Sequence, residues 1–227
     1  MITAQQSPID LRDPVRTDYG EGLLRIEWTG RVRGTVVRDG HDVKIIYGAD
    51  ARQRILLDGK TYHLAEMHFH HPAEHWVDGR QHTVEVHIVS QNAHDGTRVA
   101  FGIFIEAKGD DPDLNLEGDL HSIEVCEAPG STGISTDPRI YLPSDVGHYY
   151  RYEGSLMTPG YEEDVSWVVF QDVARFPRRQ VDRMVRLFGH PARLPQPLNR
   201  RFVLANFEDP LAQEVRELKS PGLEPPP

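Results

Sequence analysis

Residues 66–92 read EMHFHHPAEHWVDGRQHTVEVHIVSQN, two runs of alternating residues on either side of a turn-like centre at Val77-Asp78-Gly79. The alternation predicts a strand over Tyr62–His71 and an antiparallel partner over His82–Gln91. Successive side chains on a strand point to opposite faces, so His68 and His70 share a face with Glu66, and His87 shares one with Glu85 and Val89. Folding the pair about its centre sets His68 opposite His87. Three imidazoles then converge on one point.

Neutral imidazole is a common metal ligand, and a catalytic zinc typically has three protein ligands and one open position. An isolated H-x-H means little in a chain with 12 histidines. The third histidine, in register and on the same face, gives His68, His70 and His87 their weight as a set. Ligating histidines usually pass their second N–H to a carboxylate or carbonyl, and Glu66 and Glu85 stand two residues from a ligand on the ligand face. His63, His71, His75 and His82 have the opposite parity and are expected to be packing or surface residues. Two chemistries fit the pattern. One is a three-histidine zinc centre. The other is a cupin-like barrel in which His68, His70 and His87 hold iron or manganese and Glu74 is a fourth ligand. Cupins usually space their two ligand motifs more widely than Trp76–Val86 and turn at Pro or Gly before the last histidine.

The 227 residues suffice for one well-cored domain, and 38% hydrophobic with 26% charged residues is an ordinary globular composition. A formal net charge of −10 argues against nucleic acid as the main partner, and the arginines of Arg175–Arg186 read as a solvated helix face. No apolar run approaches the roughly 20 residues that span a bilayer, so no membrane partner is expected. The N-terminal MITAQQSPIDL has no signal-peptide pattern, and the single Cys126 fits a reducing compartment. A cytoplasmic location is expected, or a periplasmic one if a signal has been removed. The chain is expected to be a monomer or a homodimer.

Short β-rich runs are expected at Leu23–Trp28, Thr35–Val37, Val43–Tyr47 and Arg54–Leu57, separated by glycine turns. Val99–Ala107 reads as a strand buried on both faces. Asp110–Asp119 reads as an acidic loop, Leu120–Val125 as a helical turn or short strand, Ala128–Asp137 as a loop, and Ile140–Leu142 as a short extended piece. Val165–Gln171 is a strong strand. Arg178–Phe188 carries the i, i+3, i+4, i+7 pattern of a helix with Gly189 as its cap. Phe202–Phe207 reads as a last strand. Residues 1–207 make one mainly β domain, and 208–227 make a tail with a short helix (Leu211, Val215, Leu218) before a Pro-rich end.

From Gln6-Ser7-Pro8-Ile9-Asp10 to about Phe207 the chain resembles the α-class carbonic anhydrases. The matching segments are Asp39-Gly40-His41, His68-Phe69-His70 with Glu74-His75, Glu85-Val86-His87, Phe101-Gly102-Ile103-Phe104, Gly154-Ser155-Leu156 with Thr158-Pro159, and Gln196-Pro197-Leu198-Asn199. They occur in the family's order. The resemblance implies a twisted, largely antiparallel sheet of about ten strands with Zn2+ at the base of a cleft, and hydration of carbon dioxide to bicarbonate and a proton. It implies His68, His70 and His87 as ligands, Glu74 as an acceptor beyond them, and His41 as proton shuttle. An apolar wall of Val89, Ala100, Leu156 and Trp167 would hold carbon dioxide.

The sequence departs from the family where the loop's first threonine would accept a hydrogen bond from the zinc-bound hydroxide and donate one to the glutamate matching Glu74. That position holds Met157, whose thioether cannot donate and accepts weakly. Thr158 matches the second threonine and substitutes only if the loop shifts. Loss of such a positioning bond costs on the order of 2–4 kcal/mol in the transition state, roughly 30- to 1000-fold in rate. A slow hydratase is therefore expected, the alternative being a zinc-binding relative with little activity that works as a binding module. Glu66 stands where the family commonly has glutamine.

Overall fold

The computed structural model describes residues 5–19, 23–39, 42–48, 53–188 and 192–208. Its frame is a large twisted sheet whose strands run, in spatial order, Gly130–Thr136, Val32–Asp39, Asp42–Tyr47, Lys60–His70, Val84–Gln91, Arg98–Ala107, Val165–Phe170, Tyr149–Gly154, Leu204–Ala205 and Val15–Arg16. Leu24–Glu27, Arg54–Leu57 and Ala174–Phe176 pair alongside this path. Most pairs are antiparallel. Arg98–Ala107 instead runs parallel to both Val165–Phe170 and Ala174–Phe176, and Leu204–Ala205 runs parallel to Val15–Arg16. The mainly β architecture expected from the sequence is what the chain adopts.

The central pairing follows the alternation of the histidine-rich stretch. His87 lies opposite His68, Glu85 opposite His70, and Val89 opposite Glu66, before a bulge shifts the register between Val89 and Ser90. The two strands are not one continuous hairpin. After His70 the chain leaves the sheet, and Val77-Asp78-Gly79 turns a separate small hairpin, Trp76–Val77 with Arg80–Gln81, that joins Asp10–Leu11. Asp78 and Gly79 both have positive φ, 48° and 74°, which an Asp-Gly turn accommodates.

Arg98–Ala107 is central, as its apolar run implies, and its middle residues are buried on both faces. Alternation divides the core. Val86, Ile88, Val99, Phe101 and Ile103 belong to the larger cluster on one face; Val89, Ala100, Phe104, Trp167 and Val169 belong to the cluster on the other. The helix Arg178–Leu187 closes the first face. Phe188 at its end stacks on Phe69 with ring centroids 4.4 Å apart, and Tyr141 meets Phe69 edge-on at 5.4 Å. Phe69 is thus held on the face opposite its neighbours His68 and His70, which fixes the strand that presents them.

Several local expectations are corrected. The acidic segment taken as a loop begins a helix, Leu114–Glu124, in which the Asp113 side chain accepts the N–H groups of Asn115 and Leu116 and Leu116, Leu120 and Ile123 are buried. Ala128–Asp137 is not a loop: Gly130–Thr136 is the edge strand paired to Val32–Asp39, and half of its side chains face solvent, which explains its polar composition. Ile140–Leu142 is not extended; Pro138–Tyr141 is a 3-10 turn capped by Asp137, driven by burial of Tyr141. The last strand shrinks to Leu204–Ala205, and Ala174–Phe176 is a strand that the sequence did not suggest. Gly189, His41 and the proposed tail helix lie outside the described residues. Among the described residues no helix is long and apolar enough to cross a membrane.

Candidate metal centre

His68 and His70 come from one central strand and His87 from its neighbour, and all three face the same side. One ring nitrogen from each lies within 4.8 Å of the others. The ring centroids are 5.0 Å apart for His68 and His70, 5.2 Å for His68 and His87, and 4.6 Å for His70 and His87. His68 and His70 line a cleft of about 300 Å³ together with Val43, Lys44, Phe69, Glu74, Met157, Thr158, Pro159, Tyr161 and Arg193, and His87 is buried against them.

Carboxylates bracket the rings. Glu66 Oε1 lies 3.2 Å from His68 Nδ1, and Glu85 Oε1 lies 2.9 Å from His87 Nε2. Neither contact meets hydrogen-bond geometry, but with the carboxylates beside His68 Nδ1 and His87 Nε2, the atoms left for a metal are His68 Nε2 and His87 Nδ1. Burial pushes both imidazoles below their ordinary pKa, despite Glu66 and Glu85, and so favours the neutral form that ligates. Burial works against the charge on Glu85 too, yet His75 and His87 hold its carboxyl well below the usual range. Glu66 is likewise opposed by burial but drawn down to about 2 by His68 and Lys44.

Glu74 differs. Its Oε1 accepts the backbone N–H of Arg193 at 2.8 Å, whereas Oε2 is buried without a hydrogen bond, 3.3 Å from His70 Nε2 and 3.9 Å from His87 Nδ1. Burial, reinforced by the charge of Glu85 and opposed by Arg193, raises its pKa to about 8. Three imidazoles brought together beside an orphaned buried carboxylate oxygen fit a divalent cation such as zinc.

Glycine is required at one point of this arrangement. Gly102 lies opposite His87 in the sheet, and a Cβ there would stand 2.8 Å from Glu85 Oε1 and 3.1 Å from Val169.

His75 corrects the parity argument. The strand ends at His70, so counting alternation beyond it has no meaning. His75 is fully buried, with Nδ1 2.6 Å from Glu85 Oε1 and Nε2 2.7 Å from the Tyr152 hydroxyl, which itself lies 2.9 Å from Ser7 Oγ. His82 stacks on Phe104 at 4.3 Å beside Glu106, and His71 Nδ1 meets the Thr83 carbonyl at 2.7 Å. Ser7, Tyr152 and Arg193 were not legible as part of the site; only the Glu74-His75 pair in the histidine-rich stretch signalled an added layer.

Met157 is 9% exposed and packs with Val89, Ala100 and Trp167 in one apolar cluster, with Leu156 against it. Trp167 also meets the His87 ring at 4.8 Å. Val89, Ala100 and Trp167 are buried behind the open cleft, whose apolar lining comes from Val43, Met157 and Pro159. The loop carrying Met157 and Thr158 is anchored at several points: Trp167 Nε1 donates to the Ser155 carbonyl at 3.0 Å, Leu156 N to Glu162 O at 3.0 Å, and Tyr161 N to Thr158 O at 3.0 Å.

Comparison with known proteins gives a consistent picture. The family model described as eukaryotic-type carbonic anhydrase matches residues 2–207. Human carbonic anhydrase 6 is 32% identical over 237 residues, covering 89% of this chain and 76% of that protein. Among solved structures, the Photobacterium profundum alpha-carbonic anhydrase superposes with a TM-score of 0.77 at 28% identity, covering 88% of this chain and 89% of that one. The Thermovibrio ammonificans alpha-carbonic anhydrase, solved in complex with the inhibitor sulfanilamide, gives 0.76 at 32% identity, covering 89% and 88%.

Proposed function

The chain belongs to the eukaryotic-type carbonic anhydrase family, and on that premise we propose that it holds one zinc ion through His68, His70 and His87 and hydrates carbon dioxide to bicarbonate and a proton. The observation that carries this reading is the convergence of three imidazoles, His68 and His87 buried and His68 and His70 lining an open cleft, with carboxylates beside two of them. Zinc supplies a nucleophile at neutral pH by lowering the pKa of the water it holds to about 7, an effect for which carbonic anhydrase is the reference case.

The protein's own residues do the rest. Glu66 and Glu85 set a negative charge beside His68 Nδ1 and His87 Nε2, which favours a proton on those nitrogens and leaves the others to the metal. Val43, Met157 and Pro159 give the cleft an apolar side, and Val89, Ala100, Leu156 and Trp167 back it from behind, the indole N–H being taken up by Ser155. His41 is assigned the outward proton transfer, because an imidazole of pKa about 6.5 both accepts and releases a proton near neutrality. The single Cys126 supports a reducing, cytoplasmic location.

Met157 favours a slow enzyme. With no hydroxyl at that position, Glu74 Oε2 lacks the donor that would tie it to the reacting centre. A second reading, a zinc-holding binding module with little hydratase activity, rests on this same departure.

Stopped-flow hydration of carbon dioxide, with metal content measured on the same sample, decides between them. One zinc per chain, with hydration above the buffer rate that is lost in His87→Ala, is the expected result. Zinc without hydration selects the binding module. Iron or manganese in place of zinc overturns both.

A further inference from the structure

The pairing of strands that builds the centre also brings a cation to it. Lys44 on Asp42–Tyr47 is the cross-strand partner of His68. Its Nζ lies 3.6 Å from Glu66 Oε1, the same oxygen that lies 3.2 Å from His68 Nδ1. One carboxylate oxygen therefore stands within ion-pair distance of both an ammonium in the cleft and the outer nitrogen of the His68 ring. The Glu66 and Lys44 side chains are 24% and 31% exposed, so the pair is screened by neighbouring protein but is not sealed from water.

A full negative charge on the far side of an imidazole draws its N–H more strongly than a neutral amide does. The ring then becomes a more electron-rich ligand that holds its metal harder. Shared with an ammonium, the same carboxylate pulls less. We propose that Lys44 is a positioning residue of the metal centre: by pairing with Glu66 it offsets that charge and sets how firmly His68 binds the ion. This inference rests on the reading of His68, His70 and His87 as zinc ligands.

Transfer of zinc from the loaded protein to a chromophoric chelator tests it without reference to catalysis. Lys44→Met keeps the aliphatic stem and removes the charge, and it should slow zinc release about three- to tenfold. Lys44→Arg should restore the wild-type rate, because it keeps the cation. Glu66→Gln should speed release by about 10- to 100-fold, the usual range for loss of such an outer partner, a range for which carbonic anhydrase is itself a reference case. Lys44→Met added to Glu66→Gln should then change nothing further.

An equal effect of Lys44→Met in the wild-type and Glu66→Gln backgrounds would show that the ammonium repels the ion directly, and would overturn the proposal. So would equal changes in Lys44→Met and Lys44→Arg, which would mark a packing effect, or no change in either. A wild-type protein that takes up no zinc at all would be a different failure: it would remove the three-histidine centre and this inference with it.

Discussion

Glu85 and His75 form a close polar contact behind the three clustered histidines, with Oε1 2.6 Å from Nδ1 and both side chains fully buried. The same carboxylate reaches His87 Nε2 at 2.9 Å and accepts the backbone N–H groups of Glu74 and His75 at 2.9 Å and 2.8 Å. One side chain thereby fixes a second histidine and the loop that carries Glu74, and stands against the ring of His87.

Removing that hub should cost both stability and metal. Glu85→Ala leaves two buried imidazoles and two backbone donors without their acceptor, so unfolding free energy should fall by about 3–5 kcal/mol. Zinc affinity should drop by roughly 10- to 100-fold, in the range found for outer partners of ligating histidines, carbonic anhydrases included. Urea unfolding of the zinc-free protein and chelator competition measure the two effects. Unchanged zinc affinity in a folded variant would refute the role of Glu85 in holding His87.

Gly102→Ala should act on the same group from the other side. The added Cβ would stand 2.8 Å from Glu85 Oε1 and 3.1 Å from Val169, and the neighbouring strands leave little room for adjustment. A stability loss of about 1–3 kcal/mol is expected for overpacking of this kind. Weaker zinc binding should accompany it. An alanine variant with wild-type stability and zinc release would show that Glu85 has space to move.

Met157→Thr should raise the hydration rate by roughly 30- to 1000-fold, the reverse of the 2–4 kcal/mol attributed to the missing hydrogen bonds. Its hydroxyl would stand in the cleft beside Glu74, whose Oε2 has no donor in the present sequence. Some stability should be lost in exchange, about 1–3 kcal/mol, because Met157 fills part of the apolar cluster around Trp167. Stopped-flow assays of both proteins at equal zinc content give the answer. Equal rates would show that the methionine is not the limiting feature.

Asp119 gives a pH signature remote from the metal. Its buried carboxyl accepts from the hydroxyls of Thr136 and Tyr141, with Arg31 at 3.6 Å, yet burial outweighs them and raises its pKa above 3.8. The folded state therefore binds this proton more tightly than the unfolded chain. The stability it contributes is fully present below pH 3.8 and is lost as pH rises through the raised folded value. Asp119→Asn removes that dependence, so the stability of the variant relative to wild type should improve with rising pH across this window. Urea midpoints of the two proteins from about pH 3 to 7 check it. A constant difference would mean that the carboxyl is not raised.

The parts of the fold legible in the sequence are those where local pattern and burial agree. Period-two alternation over residues 60–70 and 84–91 fixed the face of every histidine in the set, because a shift of one residue would have turned the whole row away. The i, i+3, i+4, i+7 pattern located the helix Arg178–Leu187 in the same way. Where the chain fails to bury its own pattern, the reading failed. Gly130–Thr136 is a strand through pairing with Val32–Asp39, and Ala174–Phe176 through pairing with Ile105–Ala107. Neither has a periodicity that announces it.

By itself, then, the sequence determined the identity of the three histidines, their common face, and the methionine that stands beside them. Tertiary structure alone decided what surrounds them. Arg193 reaches Glu74, Tyr152 reaches His75 and is itself bonded to Ser7, and Lys44 reaches Glu66, each from a different segment of the chain. The physical reason is range. Strand alternation is set by the backbone within a few residues, whereas these contacts exist only once the sheet has brought distant segments side by side.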